Sequence, residues 1–490
     1  MERSGSFGCR AGGSSGSRRI QRRFSIALQD CCFASGFAAG LDMELDDCEE
    51  DEVPVSEYAA LAKQADLPPP PRDAPKDAQA LPGLVDREGT SSFAASVVNV
   101  TKSLVGIGML TLPRALADGT PALGVLALFV SGALSALSFF MLGYCAHLTG
   151  AESLPQLWDA TVGPGSAFVV EVVIFTDCLL SCIAFALLIG DYTSKSVAGL
   201  FPSLPEQLSS RGLLVMVLGV GLLLPLCMIR RLSLLRFSSL GGLVCTLYVF
   251  FYVVGDFSSS ISDGSGDFLP SLLAGCQVNL EGLLRSTAIF AVAFMAHANA
   301  PAFYADLQDR SPSRFAAVSA ASFGAAFFIY MAFGISGLGR FGDGVPGNAL
   351  AAYPLSTPVL LMWLGMGLCV IASFPLVFAA LRSATLRLAG RLSRRSLEHE
   401  GVASRAVTVA MVLCIACVGA VLEDLSAVVS LCGALSGLSL ALVFPGAVML
   451  GMKRRKTPHF KALARVLVCL GTFLGCASSL AVLRRDVLGL

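Results

Sequence analysis

The chain has 490 residues, 54% of them hydrophobic and only 14% charged, with a formal net charge of zero and a mean hydropathy of +0.71. Soluble domains carry about 25% charged residues, so this composition excludes an ordinary soluble enzyme and points to a polytopic membrane protein. No nucleic-acid partner is expected.

Residues 1–90 are read as a disordered cytoplasmic tail. They hold 10 basic and 16 acidic residues, a Gly/Ser-rich stretch at 11–17, an acidic run over 46–52 and a proline run at 68–71. Such a segment buries too little apolar surface to offset its ordering entropy. Its short apolar piece near residues 33–41 is too broken for a secretory leader, so the first span would act as signal anchor. Met43 is a possible alternative start. Tyr58 to Leu61 fits a sorting tetrapeptide and Cys31 and Cys32 a lipidation site, both weak patterns.

From residue 91 onward the chain reads as a membrane domain of eleven spans, since a crossing helix needs about 20 apolar residues. The spans lie near 92–114, 122–146, 166–196, 212–229, 237–255, 282–305, 315–339, 357–381, 404–421, 425–450 and 460–483. With the amino terminus in the cytosol, the inner loops and their flanks collect 17 Lys and Arg against seven on the outer side. That bias fixes the orientation. Most of the 16 cysteines fall in apolar runs and read as packing residues rather than disulfide or zinc ligands. No metal or organic cofactor is expected.

Span one reads VVNVTKSLVGIGMLTLPR and places Gly106 and Gly108 near mid-membrane, with Lys102 one turn earlier. Backbone freed by a break in a membrane helix is tolerated only where it meets protein or a watery cavity. Span six, five spans later, carries His297, Asn299 and Pro301 at its middle, and proline deletes a helical hydrogen bond. Two interrupted helices at that interval are the sequence mark of an inverted-repeat transporter. The expected fold is therefore all-α, a five-plus-five inverted repeat with helices one and six broken.

The residues from about Ser91 to the end resemble the amino acid/auxin permease family. The resemblance is carried by NVTKSLVGIGMLTLPRALADG in span one, FALLIGDY in span three, and AVAFMAH followed by FYADL in span six. SFPLVFAALR in span eight and LCGALSGLSLALVFPGAVML in span ten add to it. It implies a LeuT-type fold and coupled transport of small amino acids. In such folds the substrate carboxylate meets free backbone N–H groups at the first break, which puts Val105, Gly106, Ile107 and Gly108 at the binding site. Phe294 is expected to wall the pocket, and Asn299 to offer an amide.

Four further residues are expected to govern coupling. Lys102 stands where sodium-coupled family members carry an amide, so its ammonium would replace sodium. Ser373 stands where those members present a hydroxyl to sodium, and with Lys102 present no sodium is expected there. Asp177 in span three and His297 can carry protons. The implied activity is proton-coupled or exchange transport, independent of sodium, of neutral amino acids. Plainer roles stay open: the glycines as close helix contacts, Lys102 as a snorkelling or paired lysine, and His297 as a bridge across its own break. A transporter-like sensor signalling through the tail is the alternative function. A membrane enzyme is disfavoured by four scattered histidines. The expected location is the plasma membrane or a vacuolar or lysosomal membrane.

Overall fold

The computed structural model describes residues 89–229, 236–263, 279–393, 401–452 and 458–487. The predicted tail up to residue 88 and the loops at 230–235, 264–278, 394–400 and 453–457 lie outside the described residues. Regular structure among the described residues is helical, joined by one isolated parallel bridge between Ser91 and Leu307. Among the described residues ten helices are long and apolar enough to cross a membrane. An eleventh crossing is the pair Phe93–Leu104 and Gly108–Asp118, bent by 51°.

Local chemistry sets the ends. Span two, Pro121–Thr149, starts with proline in its first turn and stops at Gly150, whose φ of 72° a side chain would resist. Ser311 caps span seven, Pro312–Phe341, by accepting from Arg314 N–H. The tight connection between spans nine and ten forms because Asp424 accepts from the backbone N–H of Ser426.

Three features were not foreseen in the sequence. Span one continues to Asp118, which carries Arg114 inside the helix rather than at its end. Span eight, Thr357–Ser393, is helical through Pro375. Span ten is not a plain helix: between Leu425–Cys432 and Phe444–Gly451 it contains two successive π-helical turns, Gly433–Gly437 and Ser439–Val443. π-turns are rare and cluster at functional positions.

Packing sorts the spans into two groups. Spans one, two, six and seven pack on one another, and spans three, four, eight and nine do likewise, with spans three and eight in the most extensive contact. Span five joins the groups through spans seven and eight, while span ten lies against spans three, six and eleven. Large apolar side chains such as Phe251, Leu368, Phe473 and Leu480 stand exposed on the outer helices. In water they would form an adhesive surface, whereas a bilayer makes them the solvated face.

Candidate functional site

The two interruptions meet at the centre of the first group. In span one the helix stops at Leu104, and Val105 and Gly106 are extended. A 3-10 turn, Ile107–Thr111, then leads into Leu112–Asp118. In span six the helix stops at Ala293 and resumes at Ala300 after a 3-10 turn over His297–Asn299. Gly108 touches the second break so closely that an added Cβ would lie 3.2 Å from Ala293 Cα. This contact explains a glycine there better than helical flexibility does.

A helix that stops leaves carbonyls without an intrahelical donor. Tyr330, fully buried in span seven, answers both breaks. Its Oη donates to Leu104 O at 2.6 Å and to Ala293 O at 2.7 Å. Sequence reasoning missed it. The available signal was a tyrosine inside an apolar helix, whose hydroxyl must find an acceptor when buried.

The predicted site residues separate into several environments. Val105 and Gly106 are half-buried and Gly108 is buried at the first break, with Lys102 half-buried in the turn before it. Phe294 does not wall an open pocket. It is fully buried, stacked on Phe323 and edge-on to Tyr330, and an added Cβ on Gly132 would come within 2.9 Å of its ring. Its phenyl group is part of the packing between spans two, six and seven. Asn299 is exposed in the second break, and Ser373 is half-buried in the unbroken helix of span eight.

His297 and Asp177 turn toward different helices. His297 is fully buried, with Nε2 3.2 Å from Ser135 O and 3.0 Å from Ser138 Oγ in span two. Donation from Nε2 to the Ser135 carbonyl would leave Nδ1 as the bare nitrogen. Nδ1 has no partner among the described residues. Asp177 instead faces the first π-turn of span ten. Its Oδ1 accepts from Ser436 Oγ at 3.0 Å and from Cys432 Sγ at 3.5 Å. The same turn abuts span six, where a Cβ on Gly433 would fall 1.8 Å from Ala288 O. Only glycine allows that approach. Ser436 was not foreseen, although a serine between Gly433 and Gly437 in an apolar span was a signal.

Both ends of the broken helices are closed, by different chemistry. At the end that the loop charges would place outside, named the outer end with its opposite the inner, Arg285 of span six is 2% exposed and donates to Asp118 at 2.5 Å, to Asp424 at 3.3 Å and to Ser426 Oγ at 2.9 Å. Arg114 and Arg485 add pairs to Asp118 at 3.1 and 3.3 Å. At the inner end Thr90 and Ser91 donate to Asp306, and Tyr304 Oη lies 2.7 Å from His147 Nδ1. Glu171, near the start of span three, is tied to Arg387 and Arg391 of span eight.

Residues 89–484 match the family described as transmembrane amino acid transporter protein. Amino acid transporter AVT1D of Arabidopsis thaliana is 25% identical over 346 residues, covering 68% of this chain and 57% of that protein. Vacuolar amino acid transporter 7 of Saccharomyces cerevisiae is 26% identical over 306 residues, covering 61% and 59%. The matched stretch thus spans less than two thirds of either relative. Among solved structures, a manganese transporter mutant from Eremococcus coleocola superposes with a TM-score of 0.51 at 15% identity, covering 82% of this chain and 92% of that one. The nucleobase-cation-symport-1 family transporter Mhp1 gives 0.50 at 11% identity, with the same coverage. At these identities the likeness is one of fold alone, and the fold is of the LeuT type.

Proposed function

Because the chain belongs to the transmembrane amino acid transporter family, we propose that it is a secondary active transporter of neutral amino acids working by alternating access. The observation that carries this reading is the contact of two mid-membrane helix breaks, Gly108 against Ala293. The substrate carboxylate is assigned to the backbone from Val105 to Gly108, where a helix begins and its N–H groups offer positive potential. Asn299 supplies an amide at the second break, and Phe294 backs that break from within the packing of spans two, six and seven.

Coupling is assigned to protons or to exchange. Lys102 occupies the electrostatic role of a bound sodium ion, which leaves Ser373 without an ion to hold. Asp177 supports a proton pathway because its carboxylate touches a π-turn that can change register, and His297 because its bare Nδ1 is buried beside the second break. The spans are read as a five-plus-five inverted repeat with the amino terminus in the cytosol. The plasma membrane or an acidic organelle would each supply the driving gradient.

The test is uptake of labelled neutral amino acids into proteoliposomes holding the full chain. Uptake is expected to persist when choline replaces sodium at fixed pH, and to accelerate when the lumen is made alkaline relative to the bath. Collapse in choline removes the coupling assignment. Absence of uptake for every amino acid under every gradient removes transport itself.

A further inference from the structure

The inner closure has a property that the transport reading does not use. Just before span one, Ser91 pairs as a strand with the end of span six: Ser91 N–H donates to Asp306 O and Gln308 N–H donates to Ser91 O, both at 2.9 Å. Gly89 lies so close to Leu307 that an added Cβ would fall 2.2 Å from its carbonyl oxygen. The side chains complete the latch. Thr90 Oγ1 donates to one oxygen of Asp306 at 2.9 Å and Ser91 Oγ donates to the other at 2.5 Å. Two neutral hydroxyls thus hold one carboxylate, with Thr90 exposed at the surface.

We infer that Thr90 is a phosphorylation site whose modification unlatches the inner end of span one from span six. Transfer from a nucleoside triphosphate would form a bond between Thr90 Oγ1 and the γ-phosphorus. The β,γ-bridging P–O bond breaks, the diphosphate leaves, and the hydroxyl proton passes to the kinase's base. Two changes follow at the latch. The hydroxyl that donated to Asp306 loses its proton, and a group of about −1.5 to −2 charge arrives beside the carboxylate. Like charges at that separation repel, and the bond they replace was a donor to an anion. In sequence Arg87 stands three residues before Thr90, a spacing that suits a basophilic protein kinase.

This inference rests on the alternating-access reading for its consequence, inward opening, but its test does not depend on transport. The purified full chain, in detergent so that both faces are reachable, is treated with the catalytic subunit of a basophilic kinase and ATP, and phosphopeptides are mapped. Phosphate at Thr90 is expected, and its absence overturns the inference. Opening is read separately with a cysteine placed at Val97, which is buried in the first half of span one. Thr90→Glu should raise its alkylation rate about tenfold or more, in proportion to the shifted population. Adding Asp306→Asn removes the repulsion and should return the rate toward the parent. No acceleration in Thr90→Glu overturns the inference. So does acceleration that Asp306→Asn fails to reverse, because the mutant charge would then be loosening the fold generally.

Discussion

The outer and inner ends of the broken helices do the same mechanical job with opposite materials. At the outer end three arginines converge on Asp118, and Arg285 reaches on to Asp424. Arg285 and Asp118 are nearly sealed from solvent. At the inner end the contacts are two hydroxyls on the exposed carboxylate of Asp306, a backbone bridge from Ser91, and the Tyr304 hydroxyl on His147. A buried ion network costs several kcal/mol when one partner is removed, because the others keep their desolvation penalty. Exposed hydrogen bonds are each worth about 1 kcal/mol or less. The outer closure is therefore strong and insensitive to salt, and the inner one is weak and easily altered.

The largest effect expected from this contrast is that of Asp118→Asn. It leaves Arg114, Arg285 and Arg485 facing one another with only the half-exposed Asp424 nearby. A loss of about 3–5 kcal/mol is expected, seen as a lower thermal unfolding temperature in detergent that added salt does not restore. An unchanged transition would remove the claim that the outer end is held by charge.

Tyr330→Phe comes next. It withdraws the donor from two buried carbonyls, so a cost of about 1–3 kcal/mol is expected, with a fall in uptake. Uptake unchanged from the parent would mean that the hydroxyl supports neither break. Ser436→Ala should leave stability within about 1 kcal/mol while shifting the pH dependence of uptake, because Asp177 keeps only the thiol of Cys432 as donor. A pH profile superimposable on the parent would remove Asp177 from coupling.

The smallest thermal effect belongs to Asp306→Asn. Its group is exposed, and the backbone bridge to Ser91 survives. Stability should move by about 1 kcal/mol or less, and alkylation at Val97→Cys should stay near the parent rate, because the amide oxygen still accepts a latch hydroxyl. Asp306→Asn as damaging as Asp118→Asn would erase the distinction between the two ends.

The crossings were legible in the sequence because hydropathy over about 20 residues is a long signal. The breaks were legible because glycine and proline act locally, through the backbone of their own span. What could not be read was partnership. Phe294 is apolar wherever it points, and only packing shows that it fills the space against Gly132. Arg285 was counted as one more outer charge, although an arginine within a span announces an acidic partner, here Asp118. The π-turns of span ten have no composition of their own beyond Gly433 and Gly437. The registers of spans three and six against them decide which side chains meet.

Tyr330 leaves one last consequence. A phenol owns a single proton, yet two carbonyls compete for it, so at any instant one of them is bonded and the other merely near. The hydroxyl can rotate its allegiance from Leu104 to Ala293 without leaving its place, and either half-helix can depart while the proton follows the one that stays. The hinge is thus never fully paid off in hydrogen bonds, and separating the two halves forfeits less than two bonds' worth of attraction.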